Sequence, residues 1–268
     1  MRRIEWMVPL LLAGFAGAAR GQSLADRIMA VPEGTVRLAY GVREGICGDG
    51  ETFIRDRARG ENNVVSFDDG NGRSYGRGWR DRPCEPGPAR VAISKSGGTV
   101  IRVRVFVGGE WGVATAGVTD LGMVPAPAAA KALVAISARA RRADNAVFAA
   151  IIADSAVVWP DLLALARDDR ATTETRKNAV FWLSQAAGDE ATRGLTALAE
   201  DDDENREVRD QAVFAISQLP AKDGVPVLIR LVRTNPDPRI RRKALFWLGQ
   251  SDDPRALQLF EEILTKGS

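Results

Sequence analysis

One eight-residue phrase is written three times in the C-terminal half: NAVFWLSQ at 178–185, QAVFAISQ at 211–218 and KALFWLGQ at 243–250. Ala179, Ala212 and Ala244 are its equivalent positions, spaced 33 and 32 residues apart. A fixed period of this length means stacked supersecondary units. Each unit holds two helices. One reads LLALAR (162–167), LTALAE (195–200) or VLIRLV (227–232), and the other carries the phrase. Neither helix buries its apolar stripe alone, so successive units must stack into an α-solenoid.

The helical period begins at Pro125 and predicts helices near 126–141, 145–153, 157–168, 173–187, 190–200, 204–218, 224–234, 237–250 and 254–265. Asp237-Pro238 and Asp253-Pro254 each place a capping carboxylate before a proline at the first helical position. Thr172 or Thr173 can cap the helix of the first phrase.

Three helical repeats compete at this period. The tetratricopeptide pattern needs Trp-x-x-Leu-Gly, whereas Trp247, Leu248 and Gly249 are adjacent here. Ankyrin starts on Thr-Pro-Leu-His, and the chain has no histidine. IRRKALFWLG (240–249) and VRDQAVFAIS (208–217) instead resemble the second helix of HEAT repeats, most closely the short bacterial HEAT and phycobilin-lyase-type repeats. The resemblance covers about 155–268, with a degenerate or capping pair expected at 126–153. Thr175 departs from the branched aliphatic at Val208 and Ile240, and Ser184 and Ser217 stand where the third copy has Gly249.

On helix 237–250, Ile240, Ala244, Trp247 and Leu248 share one face, which is expected to be core. Arg176, Arg209 and Arg241 recur at one register. The resemblance implies a structural ladder in which this arginine reaches the turn of an adjacent unit. Asp169, Asp203 and Asp237 in the preceding turns are its candidate partners. Phe181, Phe214 and Phe246 lie about 200° around the helix from the alanines. They are flanked by Gln185, Gln218 and Gln250 one turn on and by Lys177 and Lys243 one turn before. This aromatic row either packs between repeats or forms the candidate partner-binding surface.

Before Gly122 the period is two. Val36, Leu38, Tyr40 and Val42 alternate with other residues in TVRLAYGV, as do Ile101, Val103, Val105 and Val107 in TVIRVRVFV. ARVAIS (89–94) and NVVSF (63–67) are shorter candidate strands, and Gly- and Asp-rich turns separate them all. This predicts a small antiparallel β sandwich or barrel over 24–122, followed by the solenoid at 125–268. The fold class is thus α+β multidomain.

Arg2 and Arg3, the apolar run Met7–Ala19 and the small residues before Ala19 and Gln22 form the pattern of a cleaved signal peptide over 1–21. The apolar run is short for a membrane span, so no stable insertion is expected after cleavage. The chain is therefore expected in the periplasm or outside the cell. Its removal takes away Arg2, Arg3, Arg20 and Glu5 and leaves a chain of no net charge, without a basic field for nucleic acid. In an oxidising compartment the two cysteines, Cys47 and Cys84, should pair as a disulfide. Closing a loop of about 38 residues is worth about 4 kcal/mol in the chain-entropy model.

Few chemical motifs appear. Without histidine the commonest general base and metal ligand are gone. Asp69-Gly70-Asn71-Gly72 has the wrong residues at 73 and 80 for a calcium loop, so a hairpin turn is expected. RSYGRGWRDR (73–82) interleaves arginine with aromatics, either as a solvated loop or as a single-strand grip. Residues 123–268 nearly balance acid and base, which argues against a nucleic-acid groove. No catalytic, cofactor or metal residue is expected. The expected function is non-catalytic protein binding, as an adaptor or scaffold in the cell envelope. The alternative is an accessory factor of an enzyme, lyase- or chaperone-like, acting on a partner protein. In either case the partner is a protein of unknown identity, with no nucleic acid.

Overall fold

Alternating apolar residues place two short sheets at the N-terminal side, and the 3.6-residue period places helices after them. A computed structural model describes residues 22–51, 53–56, 64–66, 83–140, 144–185 and 189–266. The expected signal peptide (1–21), the turn at 69–72 and the RSYGRGWRDR segment lie outside the described residues.

The described chain begins with α1 (Leu24–Ala30), which the sequence reading missed. Ser23 and Asp26 form a reciprocal capping box at its start. The Lys95 ammonium donates to the carbonyls of Ile28 and Met29 at its end, 2.9 and 2.8 Å away. Among the described residues seven strands follow: β1 (Gly34–Tyr40), β2 (Ile46–Gly48), β3 (Phe53–Asp56), β4 (Val64–Ser66), β5 (Ala89–Ser96), β6 (Thr99–Val107) and β7 (Val118–Met123). The larger sheet has the order β6-β5-β1-β7, and β2-β3-β4 form a separate antiparallel sheet.

Two expectations change here. The larger sheet is mixed, since β7 runs parallel to β1, and among the described residues β6 and β7 are its end strands; the region is therefore a mixed-sheet one and not purely antiparallel. The return from β6 to β7 crosses β5 and β1. Its loop is held by Arg90, which donates to the carbonyls of Gly108 and Glu110, and by Arg37, which donates to the carbonyl of Gly112. Both guanidinium groups lie over the Trp111 ring, Arg37 at 5.3 Å and Arg90 at 4.9 Å from its centroid.

The second change is at Ile101, expected inside and found exposed. Ser94 pairs with Arg102 while Lys95 pairs with Val100, so one extra residue is inserted on β6. Such a bulge breaks the period of two. Val100 turns inward in place of Ile101, and Val103, Val105 and Val107 keep their inward places.

Cys47 on β2 is bridged to Cys84. The bridge ties the small sheet to the segment leading into β5, beside the backbone pairing of Gly48 with Glu85. Because the stabilisation of such a link rests on loop length, Cys47→Ser should lower stability by about 4 kcal/mol. Thiol titration of unreduced, denatured protein recovered from an oxidising compartment should find no free thiol. Two titratable thiols would refute the pairing.

The helices are α2 (Ala126–Ser137), α3 (Asp144–Ile151), α4 (Trp159–Ala166), α5 (Thr173–Leu183), α6 (Asp189–Glu200), α7 (Arg206–Ser217), α8 (Ala221–Thr234), α9 (Pro238–Leu248) and α10 (Pro254–Lys266). Thr172, Asn205 and Asp237 accept backbone N–H bonds at the starts of α5, α7 and α9. The first helices α2, α4, α6, α8 and α10 stack in one layer and the second helices α3, α5, α7 and α9 in another. Ala179, Ala212 and Ala244 are fully buried between the layers. Gly224 serves the same closeness: a Cβ there would stand 2.4 Å from the carbonyl oxygen of Ile216 on α7.

At the sheet end, α2 packs on α1 and α3 packs on β6. The Tyr40 hydroxyl donates to the carbonyl of Ala149 at 2.6 Å, and the Asn145 amide donates to the carbonyl of Val103 at 3.0 Å. One buried cluster runs from the sheet into the helices without interruption at 122–125.

Candidate functional site

The second-helix layer α3–α5–α7–α9 gathers the repeated residues. The ladder arginines sit at its inner edge. Arg176 is buried: its Nε donates to the carbonyl of Ala166 at 2.7 Å, Nη1 reaches Asp169 at 3.0 Å and Nη2 reaches Glu204 at 2.5 Å. Arg209 is likewise buried; it donates to the carbonyl of Ala199 and to Asp202 at 2.8 Å, and forms an ion pair with Asp237 at 3.4 Å. Asp202 takes the place expected for Asp203, because it lies seven residues before its arginine, as Asp169 does. Arg241 differs: it donates to the carbonyls of Asn235 and Pro236 at 2.8 Å and not to Asp237. Asp237 instead caps α9 and faces Arg209. The Arg239 N–H, and then the charges of Arg239 and Arg209, hold its carboxyl below the usual range.

One register outward stand Lys177, Asp210 and Arg242. Lys177 pairs with Glu174 at 3.3 Å and with Glu207 of α7 at 3.5 Å. The Glu174 bond first, and then Glu207, raise its pKa. Asp210 pairs with Arg239 and with Lys243 of α9, the latter at 3.0 Å. Both lysines of the expected binding set are therefore ion-paired across neighbouring helices.

The aromatic row comes next, and it has a member that the sequence reading missed. Phe148 on α3 stands 33 residues before Phe181, in the tetrapeptide NAVF shared by 145–148 and 178–181. Phe148 is 5% exposed and packs on Trp182, ring centroids 5.5 Å apart. Trp182 also meets Phe181 at 5.2 Å. Trp247 lies between Phe214 and Phe246, 5.0 Å from each. Phe181 and Phe214 are half-buried, and Phe246 is 58% exposed. Trp247 was expected on the core face with Ile240, Ala244 and Leu248. Those three are buried, but Trp247 is only half-buried, because position i+7 falls at the edge of that stripe, toward α7.

The amide end of the phrase is ordered by the serines. Ser184 and Ser217 donate to the carbonyls of Phe181 and Phe214, and accept from the amides of Gln185 and Gln218. Gln218 and Gln250 are exposed. Together these residues line two openings on either side of Trp247. One, of about 340 Å³, is bordered by Lys177, Asp210, Phe214, Lys243 and Trp247. The other, of about 180 Å³, is bordered by Gln218, Leu219, Gln250 and Trp247. The Trp247 Nε1 is buried without a hydrogen-bond partner.

A larger cleft of about 750 Å³ lies on the first-helix layer between α2 and α4. Its Lys131, Arg139, Asp161 and Asp168 fall outside the repeated phrase, and Asp168 is held by Arg170 at 2.8 Å. Among the described residues, no group of three or more Cys, Asp or Glu is arranged for a metal ion, and no helix is long and apolar enough to cross a membrane.

The family described as HEAT repeats matches residues 192–268, which span α6 to α10. Among curated proteins none matches the chain. The match and the stacked helix pairs support a HEAT-repeat protein.

Proposed function

We propose that the chain is a non-catalytic protein-binding adaptor or scaffold of the cell envelope, exported by residues 1–21. Its binding surface is the exposed side of α5, α7 and α9. HEAT repeats generally mediate protein–protein interaction, and residues 192–268 match them. The observation that carries the reading is the partly exposed row Phe181, Phe214, Trp247 and Phe246, bordered by Gln218 and Gln250. Partly exposed aromatics beside amides and arginines are the composition of protein-binding patches. At the start of the helix stack, α1 packs on α2 and β6 packs on α3.

Site-directed photo-crosslinking in the native cell tests this. A benzophenone amino acid at Gln218 should give one defined protein adduct, and the same probe at Ala164 on the opposite layer should not. Equal adducts from both layers, or none at Gln218, would remove the second-helix layer as the binding surface.

A further inference from the structure

Two openings lie between α7 and α9, one on each side of the Trp247 ring. Gln211 and Lys243 border the first, and Gln218 and Gln250 border the second. On each helix the two bordering positions are seven residues apart. Seven helical residues make two turns to within about 20° and rise about 10 Å. The openings therefore share one side of each helix and stand about 10 Å apart along it. Trp247 separates them and packs on Phe214, ring centroids 5.0 Å apart.

The charges at the first opening cancel within it. Lys177 pairs with Glu207 at 3.5 Å and Lys243 with Asp210 at 3.0 Å, and among the described residues these four are its charged lining. Among the described residues the second opening has no charged lining at all. Its walls are apolar at Leu219, Val225 and Leu228 and carry the amides of Gln218 and Gln250. Such a surface recruits neither an acidic nor a basic segment. It presents apolar contact, and amides that both donate and accept.

We infer that this surface docks an uncharged, proline-rich segment of a partner protein in the polyproline II conformation, with prolines three residues apart in the two openings. The inference rests on the second-helix layer being the binding surface and states what that surface takes. Charge balance excludes charged segments, and spacing selects among the uncharged ones. Polyproline II has three residues per turn and rises 3.1 Å per residue, so every third residue returns to one side about 9 Å on, close to the spacing of the openings. A β-strand returns to one side every second residue, about 7 Å on, and misses it. An α-helix can match the spacing but satisfies its own backbone. A polyproline II segment bonds none of its backbone internally, so its carbonyls are free for the amides of Gln211, Gln218 and Gln250. Aromatic-lined grooves suit such segments, which arrive already ordered. The chain's own Pro83-Cys84-Glu85-Pro86 has the proline spacing, but Cys84 is bridged to Cys47 and Glu85 is paired with Gly48, so a second copy does not supply it.

The probe is a fluorescein-labelled, C-terminally amidated peptide of three Pro-Ala-Gln units, titrated with the full chain and read by fluorescence anisotropy. Saturable binding is expected, changing by less than about twofold between about 0.1 and about 0.5 M salt. A peptide of the same composition with its prolines four residues apart should bind about tenfold more weakly. Gln211→Ala combined with Gln250→Ala should weaken the first peptide about fivefold. Gln250 is exposed and Gln211 half-buried, so the urea midpoint of that variant should stay in place. The inference is overturned by no binding at about 0.5 mM chain, by equal binding of the two peptides, or by binding that the glutamine pair leaves unchanged. It is also overturned if salt weakens binding more than about twofold, which would assign the surface to a charged segment. A dimer in sedimentation that the glutamine variant dissociates would overturn it too, in favour of a second copy. A Gln218 crosslink without peptide binding removes the polyproline occupant and keeps the surface, whereas loss of that crosslink removes the surface itself.

Discussion

Truncation of Phe148 to alanine is expected to cost about 3–5 kcal/mol of folding free energy, and the same truncation of Phe246 less than about 0.5 kcal/mol. The two phenylalanines occupy one register of one repeated phrase, yet they stand at opposite ends of the stack. Phe148 is covered on both sides, by Trp182 from α5 and by the core that α3 shares with β6. Removing its ring leaves a cavity that rigid neighbours cannot fill. Among the described residues Phe246 meets one ring, that of Trp247, and it keeps 58% of its surface in water. Phe181 and Phe214 should fall between these limits. Urea midpoints of the four alanine variants measure the gradient. Ala244→Leu is the control: it overpacks a fully buried contact and should cost about 1–3 kcal/mol regardless of what the aromatics do. A Phe246→Ala loss as large as that of Phe148→Ala would mean that the row is packing throughout, and no aromatic anchor would remain for a partner.

The same register explains how much could be read in advance. The period of the phrase disclosed the helix pairs and their stacking, because a solenoid repeats its core positions in sequence. The cysteine count together with the export pattern disclosed the disulfide, since only two cysteines exist to pair. A degenerate or capping pair is expected at 126–153, but Phe148 is not legible as a member of the row, because NAVF at 145–148 is followed by Ala149, Ala150, Ile151 and Ile152, without the small residue and amide that close the other three copies. That departure has a physical cause: α3 lies against β6, so its outer side is buried and has no use for exposed glutamine. The helix expected at 224–234 starts three residues earlier, at Ala221. Gly224 is there to let α8 approach Ile216, and Pro226 sits inside the helix. Strand β7 was missed because it is an edge strand with four exposed positions of six, so it lacks an alternating apolar signal. At the candidate site the residue types were legible, but their pairing was not. The sequence placed each arginine's acid in the turn before its own helix. Half of that is true, and the other half comes from the next repeat, about 30 residues on, through the stacking that a helical wheel cannot display.

That second half predicts a large effect. Arg176 and Glu204 are both almost completely buried, at 6% and 7% side-chain exposure. Asp169, the other carboxylate at Arg176, is 92% exposed. Glu204→Ala would leave a buried guanidinium with the Ala166 carbonyl and a solvent-screened carboxylate, and should cost about 3–5 kcal/mol, the range for breaking one side of a buried pair. Arg176→Met combined with Glu204→Leu removes both charges together and should be far milder, because a buried pair gives back in desolvation much of what it gains in attraction. The coupling in this double-mutant cycle, read from urea midpoints, therefore should exceed about 2 kcal/mol. Arg241→Ala is the internal comparison. Its bonds go to carbonyls of its own loop, and among the described residues it faces no carboxylate, so it should cost about 1 kcal/mol. If Glu204→Ala and Arg241→Ala cost the same, the arginines stabilise only their own turns. If they differ as expected, the ladder is a clamp between successive repeats.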